Sequence, residues 1–422
     1  MNRLVIIGNG FDLAHGLATS YKDFISWYFN VLNNKLLQCT EREVGDALCS
    51  IKLKQSCEFS SLKKYLANHS IYEDVVNQVR RFTAIKVEDS GLVKEISRSL
   101  QTKKWVDIEQ DYYNLLTKQC ENSVEYLTKT DKLNNDLECL KRHLFDYLSL
   151  ICSNAERESA SIYIPSMIDI LMAPIKKEDV AVASQELWIQ HVDDRMKLTY
   201  DEMYNHLLGY NLPGYDYEKL ENFIKSGRAC VGYTLNVEEN IEIPKAYAIP
   251  DRTMLLNFNY TDVADQYMPK GNPSFEINHI HGSIADVDSM IFGYGDELDE
   301  NYKNLENKND NEYLKNMKSI RYQETDNYRR MLSFIESAPY QIFLLGHSCG
   351  ISDRTLLNTL FEHKNCASIK PFYYQEGVRD NYNDIIASIS RNFTDMKKMR
   401  DRVVNKTYCQ PLPQAKKITS DE

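Results

Sequence analysis

The chain has 422 residues, 43% hydrophobic and 26% charged, with a formal net charge of −11. A large core is within reach, and the usual expectation at this length is two or three domains. The excess of acids gives no support for nucleic acid as the main ligand, because phosphate contacts draw on Lys and Arg. No apolar run approaches the roughly 18 residues that span a bilayer. The apolar start, Leu4 to Ile7, is too short for a secretory leader, so a cytoplasmic protein without a membrane anchor is expected.

In chain order, MNRLVIIGNGFDLAHGL reads as a buried strand, a glycine turn and a helix. Gly8 and Gly10 allow something to approach the backbone closely, and Asn9 tolerates left-handed dihedrals. The turn is either a tight connection or a phosphate cradle at a helix N-terminus. Asp12 would then cap the helix or touch a ribose or base. The next glycine is Gly16, so the spacing is not the G-x-G-x-x-G of standard dehydrogenases.

From about residue 31 to 249 the texture is Leu-, Lys- and Asn-rich with helical spacing, as in Trp105, Ile108, Tyr112 and Leu115. This predicts a mostly helical insertion, with another short helix in LPGYDYEKLENFIK. TMLLNFNY (253–260), EINHIHG (276–282) and SMIFGYG (289–295) predict strands, and the charged stretch 296–327 a surface loop and helix. YQIFLLGHSCGISDRTLLNTLF (340–361) repeats strand, glycine turn, helix. SIKPFYYQ (368–375) predicts one more strand, 381–399 a closing helix, and 405–422 a flexible tail. Alternating strands and helices at both ends predict an α/β fold with a doubly wound, mostly parallel Rossmann-like sheet. That domain would be discontinuous, 1–30 plus 250–404, with 31–249 inserted.

In such a sheet, strand ends carry the chemistry. Asn259 would hold a ribose hydroxyl or a water, or only cap a helix. His279 and His281 share a face by alternation. His281 is placed at the strand end as a general base, and His279 inside as a core histidine. Gly346 and Ser348 match the G-x-S-x-G nucleophile elbow, but the only later histidine, His363, follows fifteen residues on. A serine hydrolase is therefore disfavoured against a turn whose backbone and Ser348 hydroxyl hold phosphate or ribose. The ten cysteines contain no C-x-x-C pair, so neither a metal site nor a disulfide framework is expected.

VIIGNGFDLAHGL, WVDIE (105–109), FNYTD, HIHGS, FGYG and LLGHSCGISD resemble, in that order, the bacteriophage abortive-infection AbiH family. More distantly they resemble sirtuin-like NAD-consuming domains of antiviral proteins. The resemblance implies antiviral defence by cleaving the nicotinamide–ribose bond of NAD or processing a related nucleotide, an NAD glycohydrolase-like activity. Gly8, Asn9, Gly10, Asp12, Gly346 and Ser348 would bind the nucleotide, with Asn259 and His281 catalytic and no cofactor required. Thr261 intrudes between Tyr260 and Asp262, a departure from the sirtuin-like pattern. Glu109 either reaches the site or sits on a solvated helix face. The alternative is a nucleotide-binding sensor that switches a partner without chemistry. The insertion leaves room for a phage-derived trigger, a partner protein or homo-oligomerisation.

Overall fold

The computed structural model describes residues 1–38, 43–53, 85–103, 107–121, 127–157, 163–196, 248–269 and 271–415. At its centre is a five-stranded, wholly parallel sheet. Its strands are β1 (Asn2–Ile7), β5 (Thr253–Asn257), β6 (Phe275–His279), β7 (Tyr340–Leu345) and β8 (Cys366–Phe372), in the order β6-β5-β1-β7-β8. Strands β1, β5, β7 and β8 are buried at every residue. Both faces are covered, which is why their sequences run apolar without alternating with polar residues.

The two faces separate by the strand's two-residue period. Leu4, Ile6, Met254, Leu256, Ile342 and Leu344 point into one core. That core is closed by α10 (Asn327–Ser337), α11 (Arg354–Glu362), α12 (Tyr382–Arg391) and α13 (Met396–Arg402). Val5, Ile7, Leu255, Phe343 and Leu345 point the other way, onto α1 (Asn9–Ala14) and α6 (Pro165–Leu171). β1 is followed in the sheet by β5 and β6 on one side and by β7 and β8 on the other. The switch point, where ligands bind in this architecture, therefore lies between the carboxyl ends of β1 and β7.

A third core joins α2 (Tyr21–Gln38), α3 (Gly91–Lys103), α4 (Ile108–Glu121) and α5 (Leu127–Arg157) to residues 290–317. The inserted region also carries a small antiparallel sheet that the sequence did not announce, made of β2 (Glu43–Gly45), β3 (Cys49–Leu53) and β4 (Ile85–Asp89). Its strands are only three to five residues long, and Glu43, Lys52, Lys86 and Asp89 lie within them. A further helix, α7 (Gln185–Met196), packs Trp188 and Val192 near Met1.

Several expectations are corrected. Residues 289–295 form no strand; the segment is buried loop, with Gly293 and Gly295 backed by Asn316 and by Ser352 and Lys318. The closing helix is two helices, parted where the Asp395 side chain accepts from the N–H groups of Lys397 and Lys398. Residues 405–415 do not fray: Leu412 is buried, its N–H donates to Tyr373 O, and the Ala415 N–H donates to Ala14 O. The stretch 296–327 holds α8 (Glu300–Glu306) and the single-turn α9 (Lys318–Arg321), and Lys318 is 1% exposed rather than a surface charge. The segment 212–225, Trp105 and residues 416–422 lie outside the described residues.

Candidate active site

The two glycine turns predicted at the ends of β1 and β7 meet each other. The Gly8 N–H donates to Leu345 O (3.1 Å) and the Gly10 N–H to Gly346 O (2.8 Å). A Cβ on Gly8 would lie 2.6 Å from His347 Cα, and one on Gly346 only 2.1 Å from Phe11 N. The close approach that these glycines permit is thus made by the chain's own second turn. Asn9 is exposed and accepts from Thr19 Oγ1 (2.6 Å). Ser348 is exposed on the β7 turn. His363 stands at the far end of α11, bonded to Glu336 (3.1 Å).

Just inside these turns lies a sealed polar cluster. Asn259 donates from Nδ2 to Asp12 Oδ1 (2.9 Å) and to Gly8 O (3.1 Å), and Thr261 Oγ1 donates to Asp12 Oδ2 (2.6 Å). The threonine that departs from the sirtuin-like pattern therefore holds the acid. Asp12 caps no helix end; it is 1% exposed, and burial pushes its carboxyl up to about 7 against those two hydrogen bonds.

His281 is buried beyond the end of β6, with Nε2 3.0 Å from Tyr322 OH and 3.4 Å from Asp353 Oδ1. His347 also faces Asp353, at 3.8 Å. Lys318 Nζ joins Asp353 Oδ1 (2.7 Å) to Glu109 Oε2 (2.9 Å), while Glu109 Oε1 accepts from the Gly293 N–H (3.1 Å). Glu109 is thus no solvated helix residue; it enters the cluster from α4. His279 is the half-buried histidine, paired with Asp265, and not the core one.

The charges are unequal. Burial, then Lys318, lowers His281 to about 3, and burial lowers His347 to about 4, so both imidazoles are neutral at pH 7. Burial is the strongest single influence on Asp353 and opposes its charge, but Lys318, with the neighbouring His281 and His347, together outweigh it and hold the carboxyl below its ordinary value. Burial pushes Glu109 upward, with Asp353 adding to the push against Lys318. Lys318 stays charged between the two carboxyls. The site accordingly offers neutral bases, a carboxyl near neutrality and a fixed cation, the repertoire of proton transfer.

Of the residues singled out in the sequence, Asp12, Asn259 and the Gly8 carbonyl form one hydrogen-bonded group, and His281 belongs to a second group around Asp353, with Phe258 packed against His281 and His347 between the two. Asn9 and Ser348 stand outside both, exposed. Lys318, Tyr322, His347, Asp353 and Thr261 are added by the structure. Asp353 ends the quoted LLGHSCGISD stretch, and His347 lies within it, so a signal for both was present.

Asp12 predicts a pH signature. Its folded value lies above the ordinary 3.8, so the folded state binds the extra proton. The stabilisation is full below about pH 4 and lost as pH rises through about 7. Between pH 5 and 8 the wild type should lose about 2–3 kcal/mol relative to Asp12→Asn, measured by urea unfolding. Parallel pH profiles for the two proteins would refute the assignment.

Among the described residues no helix is long and apolar enough to cross a membrane. Neither a curated protein nor a solved structure matches the chain. The family model described as bacteriophage abortive infection AbiH matches residues 4–375, nearly the whole of it, and spans every element of the cluster. The chain belongs to the AbiH family of phage abortive-infection defence proteins.

Proposed function

We propose that this defence protein is a nucleotide-cleaving enzyme, with the nicotinamide–ribose bond of NAD as its first candidate substrate. One observation carries the reading: two buried polar groups lie just past the strand ends, Asp12 with Asn259 and a neutral His281 with Asp353, and Phe258 and His347 stand between them. Holding unpaired and paired charges out of water costs several kcal/mol per ion, and active sites are where such arrangements concentrate.

In the proposed reaction the C1′–N bond breaks and its electron pair leaves with the nicotinamide ring. Water adds to C1′ and gives its proton to His281. Asn259 and Asp12 would orient the ribose or the water, while Asp353 would stabilise the positive charge developing on the sugar. No metal or further cofactor enters this step. The cluster is closed at rest, so substrate entry requires an opening, and the trigger would be a phage product or partner protein.

The sealing also favours a second reading, a nucleotide sensor that does no chemistry. The experiment is nicotinamide release from NAD by the purified full-length chain, alone and with lysate from infected cells. Release should fall by about 100-fold or more in His281→Ala, the usual scale of a lost general base, and likewise in Asn259→Ala. Binding without release in every arm would favour the sensor, and neither binding nor release would remove the nucleotide reading.

A further inference from the structure

Away from the sheet edge, three chemically distinct donors converge in the inserted region. Cys139 and His143 stand four residues apart on α5, hence on one face of the helix. Asp46 enters from the turn between β2 and β3. One ligand atom from each of the three lies within 4.8 Å of the others, and all three residues are half-buried.

The carboxylate is already oriented. Its Oδ1 accepts from Tyr28 OH (2.9 Å), the Leu48 N–H (2.8 Å) and the Cys49 N–H (3.1 Å). Oδ2 is left facing His143 Nε2 at 2.9 Å. The His143 ring is in turn backed by Tyr28, with ring centroids 5.1 Å apart. Hydrogen bonds join His143 to Asp46 and to Cys139, so the three groups meet around the imidazole. A thiol converging on the same point gives a thiolate, imidazole and carboxylate set, and a carboxylate fixed through its other oxygen is the outer-shell support that metal ligands carry.

We propose that Asp46, Cys139 and His143 bind one divalent transition-metal ion of the zinc class. The sulfur and nitrogen donors disfavour magnesium and calcium, which take oxygen. Three protein donors leave the remaining position to solvent or an incoming ligand. The ion would tie the β2–β3 turn and, through Tyr28, α2 to α5. This is a different kind of site from one with paired thiols, which is why cysteine spacing alone does not reveal it.

The test uses the full chain, stripped with a chelator and dialysed. Zn²⁺ is titrated by calorimetry and Co²⁺ by visible absorption, where thiolate coordination adds a charge-transfer band. One ion per chain is expected, with a raised melting temperature. Cys139→Ser should abolish the cobalt–thiolate band, and His143→Ala should weaken binding beyond the roughly 10–100-fold that outer-shell changes cost. Tyr28→Phe, which keeps the ligands and the ring, should weaken it about 10-fold, while Cys152→Ser leaves it unchanged. No binding overturns the proposal. So does a band that survives Cys139→Ser, because the metal would then sit elsewhere.

Discussion

Lys318→Met is expected to cost about 3–5 kcal/mol of unfolding free energy, the penalty for stranding a buried charge partner. Lys318 is 1% exposed, and its ammonium is the link between Glu109 and Asp353. Without it, two buried carboxyls face each other. Glu109 can respond by taking up a proton, since burial already pushes its pKa upward. Asp353 loses the cation that holds it ionised, so burial pushes its pKa up as well. The cost therefore belongs to the stranded acids and not to lost lysine packing, for which methionine substitutes in volume. Neutralising both acids first, as Glu109→Gln with Asp353→Asn, should shrink the penalty of Lys318→Met by about 2 kcal/mol, within the coupling range of contacting groups. Urea denaturation of the four proteins measures the cycle. A single-variant loss below about 1 kcal/mol, or no coupling, would mean that the cluster does not bear on stability.

How legible this molecule is from sequence depends on whether the signal is local. β1, β5, β7 and β8 stand out because strands buried on both faces read as continuous apolar runs closed by turns. His281, Asn259 and Asp12 are accessible to the same logic, each lying just past a strand end. Residues 289–295 mislead because Met290, Ile291 and Phe292 are apolar for burial and not for pairing. Lys318 has no local mark: it is one of several lysines in a charged, Asn-rich stretch, and only tertiary packing selects it. Glu109 poses the same problem on a helix whose period places it ambiguously. The helical core shared by α2–α5 and residues 290–317 is likewise a long-range fact, because the two stretches lie more than a hundred residues apart in the chain.

Gly346→Ala should be among the most damaging of the glycine substitutions, alongside Gly282→Ala, costing about 3 kcal/mol or more. Two effects add. At φ +72° an alanine meets left-handed strain of roughly 1–2 kcal/mol. Its Cβ would also lie 2.1 Å from Phe11 N, a clash with backbone that no side-chain rotation relieves, and overpacking adds about 1–3 kcal/mol. The chain supplies its own controls. Gly16 (φ +85°) and Gly271 (φ +76°) have nothing within 4 Å of where a methyl group would stand, so alanine there should cost the strain alone. Equal losses at positions 346 and 16 would show that the two turns do not interlock. The same contact bears on function, since Gly346 O occupies the Gly10 N–H that a phosphate would otherwise use. On the proposed nucleotide reading, a nucleotide at the first turn would part it from the second, and the second turn carries His347 and leads to Asp353. Binding at the glycine turn and rearrangement of the buried cluster would then be one event. A cell that carries such an enzyme would be protected from it until the two turns are driven apart.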